Sequence, residues 1–180
     1  MEYSPPYTIT NEILHLVAEI SNKLGQATHY HDLSASPRLR RNNRIESIHA
    51  SLAIEANSLS LNNVKDVIAG KTVMGPEREI REVKNAFAAY EELINLDPFS
   101  LNELSRLHGM MTAGLIKESG SFRKGEEGVF ANGQCIFMAP PARLVPGLMK
   151  ELFAWLEKER KTIQPLLLSS IVHYEFGYIH

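Results

Sequence analysis

Apolar residues recur at a helical spacing along most of the chain. The stretch 10–24 carries an apolar stripe along one face, and Gly25 is predicted to end this helix. Residues 26–37 hold no sustained pattern, so we expect a loop there. Further helices are predicted at about 38–56, at 60–69 with Gly70 as its stop, behind Pro76, from Ser100, at about 143–160, and from Pro165 onward.

The helical spacing breaks once, between Gly120 and Pro141. There Gly128–Ala131 and Gln134–Phe137 flank Asn132–Gly133, the dipeptide that best fits a two-residue type I′ turn. We therefore predict an all-α helical bundle with one β-hairpin. Because no other strand is apparent in the pattern, at least one hairpin edge should stay unpaired and could accept an extended peptide. A hairpin that only packs over the helices fits the pattern equally well.

Composition and charge exclude several classes of protein. With 44% hydrophobic and 22% charged residues, the chain has the composition of a folded globular protein. The 19 basic and 21 acidic residues give a formal charge of -2, which argues against a large nucleic-acid-binding face. No apolar run approaches the roughly 20 residues that span a bilayer, and the start lacks a secretory pattern. We therefore expect a cytoplasmic protein without membrane contact.

Metal ligands and disulfides are also not expected. Cys135 is the only cysteine, which excludes a disulfide framework and a thiolate metal cluster. The seven histidines are scattered without metal-ligand spacing, so we expect no metal site in this chain. His173 and His180 share one face of the last predicted helix. Apolar residues are spread around the whole circumference of this helix, which predicts that it is buried at the centre of the bundle. A histidine on a buried helix is usually a satisfied core residue, so these two alone indicate no site.

Glu55 is the more unusual residue, because it falls on the apolar stripe of the second predicted helix. Ile45, Ile48 and Leu52 mark that stripe, and Ser51 stands one turn before the glutamate. A carboxylate there would be partly desolvated and close to the negative end of the helix dipole. Two interpretations remain open. Glu55 could form a structural salt bridge with an arginine of this chain, or it could be an anion that competes with some other group for the same binding partner.

Several segments resemble, in their order along the chain, one known family. The string His173-Tyr-Glu-Phe-Gly-Tyr-Ile-His180 resembles the run into the Fic motif, which begins with histidine and continues Pro-Phe-x-Asp/Glu-Gly-Asn-Gly-Arg. Ser51-Leu-Ala-Ile-Glu55-Ala-Asn57 is similar to the family's inhibitory-helix motif, Ser/Thr-x-x-x-Glu-Gly/Asn. The segments that resemble its core helix, flap and post-flap turn are Leu107-His108, Gly120-Ser-Phe-Arg123-Lys and Phe137–Pro146.

The resemblance to Fic-type protein adenylyltransferases implies both a fold and an activity. It implies the Fic fold, with 1–75 as an N-terminal helical region carrying the inhibitory helix (about 38–57) and 76–180 as core helices and flap, incomplete at the C-terminus. AMP would pass from ATP, bound with Mg²⁺ in the intact protein, to a Ser, Thr or Tyr hydroxyl of a target protein, or of the enzyme itself. His180 would be the catalytic base.

The remaining implied site residues form two groups. Ser51, Glu55 and Asn57 would belong to the inhibitory element, in which Glu55 pairs with an arginine of the loop after His180. We expect Glu55 and His180 to face a common cleft beneath the flap. The flap residues that would dock the target are Val129, Phe130, Ala131, Gln134, Cys135, Ile136 and Phe137.

The sequence departs from the family pattern at two places. Ala56 stands where relatives carry Gly or Asn after the glutamate, and we expect Asn57 to take the left-handed conformation instead. The family's phosphate-binding residues after His180 are absent, so we expect these 180 residues to be a piece of a longer protein and inactive by themselves. Three alternatives remain: a non-catalytic interaction or homodimerisation fragment, a Fic-fold enzyme that transfers another phosphate-containing group, and a DNA-binding regulator.

Overall fold

The computed structural model of the protein describes residues 3–28 and 37–179. Within them the chain forms seven α-helices and one two-stranded antiparallel sheet, so the prediction of a helical fold with a single hairpin is confirmed. Two short 3-10 helices lie at Leu93–Asn95 and Ala142–Leu144. In chain order the elements are α1 (Asn11–Thr28), α2 (Pro37–Ile54), α3 (Leu61–Ile68), α4 (Glu77–Glu92), α5 (Leu101–Thr112), β1 (Gly128–Ala131), β2 (Gln134–Met138), α6 (Val145–Glu159) and α7 (Pro165–Ile179).

The chain divides into two compact units. The terminal unit contains residues 1–24, 98–101 and 122–180, and the central unit contains residues 25–97 and 102–121. The boundary at residue 75, which separates an inhibitory region from a catalytic core, stays a prediction.

The central unit is built on α2, α3 and α4, which pack against one another. Ser60 begins α3 as expected, because its Oγ accepts a hydrogen bond from the Asn63 amide at 3.2 Å. Gly70 follows the helix with φ at 76°, a left-handed conformation that suits glycine. The buried side chains of this core are Ile45, Ile48, Leu59, Val64, Val67, Val83 and Ala86.

The end of α2 has the hydrogen bonds of a Schellman motif. The Asn57 amide donates to the Leu52 carbonyl at 3.0 Å, and the Ala56 amide donates to the Ala53 carbonyl at 3.2 Å. In this motif the residue just before the one whose amide reaches back five residues is left-handed. That residue is Ala56, and its φ is 63°. The prediction that Asn57 takes this conformation is therefore wrong, since the helix ends at Ile54, two residues before the predicted end at Ala56.

Glycine at position 56 should stabilise the protein. A Cβ atom in the left-handed region costs about 1 kcal/mol or slightly more, so Ala56→Gly should raise the free energy of unfolding by about 1 kcal/mol. Thermal denaturation would show this as a rise of about 2–4 °C in Tm. Ala50→Gly, at an exposed site inside α2, is the matched control and should destabilise by about 1 kcal/mol. An Ala56→Gly protein no more stable than the parent would contradict the left-handed assignment.

The core of the terminal unit lies between α6 and α7, which pack together. The rings of Tyr7 and Trp155, the latter on α6, pack in an edge-to-face arrangement with their centroids 6.3 Å apart. Gly25 does not end α1 as predicted: the helix runs to Thr28, because a single glycine weakens a helix without forcing a stop. The buried apolar residues of α6 and α7 are Val145, Met149, Leu152, Trp155, Leu156, Leu168 and Ile179.

The last helix is less buried than its apolar sequence suggested. Leu168 and Ile179 are buried, whereas His173, Tyr174 and Tyr178 are exposed. The prediction of burial all round α7 is wrong, because much of its apolar circumference is left in contact with solvent.

The hairpin has the predicted turn. Asn132 and Gly133 have φ at 51° and 75°, the pair of positive values that a type I′ turn requires. Gly128 pairs with Met138 and Ala131 pairs with Gln134, and an irregularity lies at Val129/Phe130. In the part of the chain that the structure describes, each strand pairs only with the other, so both outer edges are unpaired.

Candidate functional site

Glu55 lies in the turn directly after α2, and its side chain is exposed. The expectation of a desolvated carboxylate is therefore wrong: the helix ends at Ile54, and the chain turns before Glu55 can continue the buried stripe. Among the residues that the structure describes, its carboxylate has no hydrogen-bond or ion-pair partner. Ser51, one turn earlier, is also exposed. A structural salt bridge with an arginine, one of the two interpretations, is thus not found in residues 3–28 and 37–179.

Asn57 anchors the turn that carries Glu55. It is 9% exposed, and its Nδ2 donates to the Glu79 carbonyl at 3.2 Å and to Glu82 Oε2 at 2.9 Å. Its Oδ1 accepts from the Leu59 amide at 3.1 Å. Because a buried amide with several partners has little freedom, Asn57 fixes the backbone two residues after Glu55.

A second set of hydrogen bonds holds the same segment to the first turns of α4. The Ser58 amide and hydroxyl both donate to Glu79 Oε2, at 2.7 and 2.8 Å. Glu82 is held in turn by Arg78, whose Nε donates to Glu82 Oε1 at 3.1 Å. Sequence reasoning missed Glu79 and Glu82, and acidic residues in the first turns of a helix were the available signal. The result is an exposed anion, Glu55, on a fixed turn.

At the other end of the chain, His180 lies outside the described residues, and its geometry stays a prediction. The residue before it, Ile179, is 1% exposed at the end of α7. The exposure of His173 shows that it is not a core histidine. The common cleft expected for Glu55 and His180 likewise stays a prediction.

The buried ionisable residue of α7 is Glu175, which sequence reasoning missed. It is 6% exposed, and its Oε2 accepts a hydrogen bond from the Tyr3 hydroxyl at 2.7 Å. Burial, then the hydrogen bond and negative charge of Glu175 and the charge of Glu151, raise the pKa of Tyr3 above its ordinary value. The pair fastens the N-terminal segment to α7, and a glutamate inside an apolar helix was the signal that could have revealed it.

The predicted flap residues lie on the hairpin as expected, and most are exposed. Val129, Phe130 and Ile136 are 56%, 62% and 67% exposed, and the Cys135 thiol is free and exposed. Phe137 differs: it is half-buried, and its ring lies 5.6 Å from that of Tyr178 on α7. The hairpin therefore presents apolar side chains to solvent while one aromatic contact holds it to α7.

The described residues contain no group of three or more His, Cys, Asp or Glu side chains placed to hold a metal ion.

None of the helices in the described part of the chain combines the length and the apolar character that a bilayer crossing needs.

Comparison with known proteins relates the chain to one family. Residues 98–180 match the model of the Fic/DOC family. The crystal structure of a Fic family protein from Desulfovibrio desulfuricans matches with a TM-score of 0.90 and 48% identity, over 99% of this chain and 54% of that one. A Fic domain containing signaling protein from Bacteroides thetaiotaomicron shares the fold, with a TM-score of 0.70 and 20% identity, over 86% of this chain and 63% of that one. No curated protein gives a significant match. The chain has the Fic fold and spans about half the length of the D. desulfuricans protein.

Proposed function

We propose that the chain is part of a Fic-family protein adenylyltransferase, which moves the AMP of ATP onto a hydroxyl of a protein. The observation that carries the proposal is the 48% identity to the D. desulfuricans Fic protein over 99% of the chain. The match of residues 98–180 to the Fic/DOC family supports it independently of that relative. The transferred group, the targets and the partners of the whole protein all belong to the proposal.

The proposed reaction is a displacement at the α-phosphorus of ATP. The oxygen of the target hydroxyl bonds to that phosphorus, the bond from phosphorus to the oxygen leading to the β-phosphate breaks, and pyrophosphate leaves. His180 accepts the hydroxyl proton on an imidazole nitrogen. An ordinary imidazole has a pKa of about 6.5 and is mostly neutral at pH 7, so it can take this proton.

The hairpin is proposed to hold the target by strand addition. Two unpaired edges within the described residues offer backbone groups to an extended peptide, and exposed Val129, Phe130 and Ile136 offer apolar contacts. Phe137 supports the role in another way, because it packs on Tyr178, two residues before His180. A peptide on the hairpin would thus be held by an element attached to the helix of the catalytic base.

Glu55 is proposed to inhibit the enzyme by pairing with an arginine of the loop that the resemblance implies after His180. Its carboxylate is exposed on a turn fixed by Asn57, and it has no partner in the described part of the chain. An anion held in this way is available for a cation elsewhere in the protein. Pairing would remove that arginine from the γ-phosphate of ATP.

The test is transfer from labelled ATP by the full-length protein and its Glu55→Gly variant. We expect label from the α-phosphate to enter protein, and mass spectrometry to find an adenylyl group on a Ser, Thr or Tyr. The same reaction with γ-labelled ATP should leave protein unlabelled, and the 180 residues alone should transfer nothing. Incorporation of the γ-label would instead indicate phosphate transfer. No label from either ATP with both proteins would refute the enzyme assignment.

A further inference from the structure

Arg123 contacts three separate pieces of the terminal unit. Its Nη1 donates to the Gly125 carbonyl at 2.8 Å, and its Nη2 donates to the carbonyls of Pro140 and Ile179, the latter at 3.1 Å. All three acceptors are backbone oxygens. Gly125 lies on the chain that enters the hairpin, Pro140 lies on the chain that leaves it, and Ile179 is the last residue of α7. One half-buried side chain therefore joins both legs of the hairpin to the end of a helix.

The base of the hairpin is closed where Arg123 holds it. The Ala139 amide donates to the Glu127 carbonyl at 3.0 Å, which extends the pairing of β1 and β2 by one bond. Gly125 and Pro140 lie just outside that bond on either leg. The rings of Phe137 and Tyr178 form an aromatic contact between the hairpin and α7. The hydrogen bonds of Arg123 add a polar contact to it.

The chemistry of the contact favours arginine over lysine. The C-terminal carbonyls of a helix form the negative end of its dipole, and a cation beside Ile179 is favourable there. A planar guanidinium presents several N–H groups in fixed directions, whereas an ammonium is a compact point charge. The Arg123 Nε is buried without an acceptor among the described residues. The side chain is thus kept in place by its bonds to the three carbonyls and has no ion pair in the described part of the chain.

We propose that Arg123 is a positioning residue for the transfer, an inference that rests on the proposed function. By fixing the hairpin against the last turn of α7, it sets the distance between a peptide held on the flap and His180, the residue after Ile179. A loosened hairpin would still bind peptide but would hold its hydroxyl away from the catalytic base. The binding of ATP would not change, because Arg123 acts on the flap.

The first test measures the hairpin itself and needs no activity. Cys135 is the only cysteine of the 180 residues and is exposed on β2, so a nitroxide spin label on it in the 180-residue chain reports hairpin motion. Arg123→Lys should give a narrower spectrum, hence a more mobile label, than the parent protein. Arg143→Lys, at an exposed arginine shortly after the hairpin, should leave the spectrum unchanged. Equal spectra for Arg123→Lys and the parent would overturn the proposal.

The second test uses unlabelled full-length protein carrying Glu55→Gly. Arg123→Lys should lower kcat/KM for the protein acceptor by about tenfold to a hundredfold, with the Kd for ATP unchanged. A mobile hairpin with undiminished kcat/KM would overturn the positioning role. Should Arg123→Lys fail to fold by circular dichroism, Tyr178→Ala removes the aromatic contact with Phe137 and must give the same two effects. If the Glu55→Gly parent transfers nothing, the proposed function fails, while the spin-label result still decides whether Arg123 holds the hairpin.

Discussion

Replacing His180 by alanine should abolish transfer of AMP and leave ATP binding intact. A positioned general base contributes about a hundredfold to ten-thousandfold to the rate, and alanine offers no nitrogen to take the hydroxyl proton. The nucleotide would be held by other groups, so its Kd should change little. The measurement is incorporation of α-labelled AMP by full-length protein carrying Glu55→Gly, beside calorimetric titration with ATP.

His173 provides the matched control for this experiment. It lies on the same helix, is exposed, and has no assigned part in the reaction. His173→Ala should therefore transfer AMP at the parent rate. Retained transfer in His180→Ala would show that another group accepts the proton, and equal losses in both variants would point to damage to α7 instead of loss of a base.

Replacing Glu55 by glycine should raise auto-adenylylation of the full-length protein by about tenfold to a hundredfold. Coupling between two sites is typically worth about 1–3 kcal/mol, which corresponds to this range. The substitution removes the exposed carboxylate that we propose binds the arginine needed by the γ-phosphate. Glycine fits this position without the usual helix penalty, because Glu55 follows the last residue of α2. Incorporation of α-label over time is the measurement.

Two further variants separate charge from backbone. Glu55→Gln removes only the negative charge and should activate nearly as much as glycine. Glu46→Gln removes an exposed carboxylate from the middle of α2 and should not activate. Activation by Gly but not by Gln would assign the effect to a loosened turn, and unchanged labelling in both Glu55 variants would remove the inhibitory role.

The parts of the fold that the sequence predicted well are those decided by a few neighbouring residues. Ser60 and Gly70 bracket α3, and Asn132–Gly133 defines the hairpin turn, because capping and turn geometry depend on local side chains and on φ. The end of α2 was harder. The helix ends at Ile54 instead of Ala56, which places the left-handed conformation at Ala56 instead of Asn57 and leaves Glu55 in solvent instead of on the buried stripe.

The features that the sequence did not predict depend on distant residues. Glu82 becomes a partner of Asn57, and Glu175 a partner of Tyr3, only when separate helices or segments come together. The same is true of Arg123 and its three carbonyl acceptors, since any residue type can supply a backbone oxygen. The sequence can mark Glu82 and Glu175 as unusual residues, but it carries no signal for which distant residue each of them contacts. The resemblance to the Fic family assigned roles to residues, while these anchors became visible only in the structure.

The hydrogen bond between Tyr3 and Glu175 joins residues 172 positions apart, and this has a consequence for synthesis on the ribosome. Residues 25–121 contain every member of the central unit, so all of that unit is translated before α7. The segment that carries Tyr3 and Tyr7 is made before the central unit but must wait for α7, roughly 10–30 seconds at ordinary translation speeds. During most of that interval Tyr7 lacks its ring partner Trp155, so an aromatic side chain stays open to contact with other proteins in the cell.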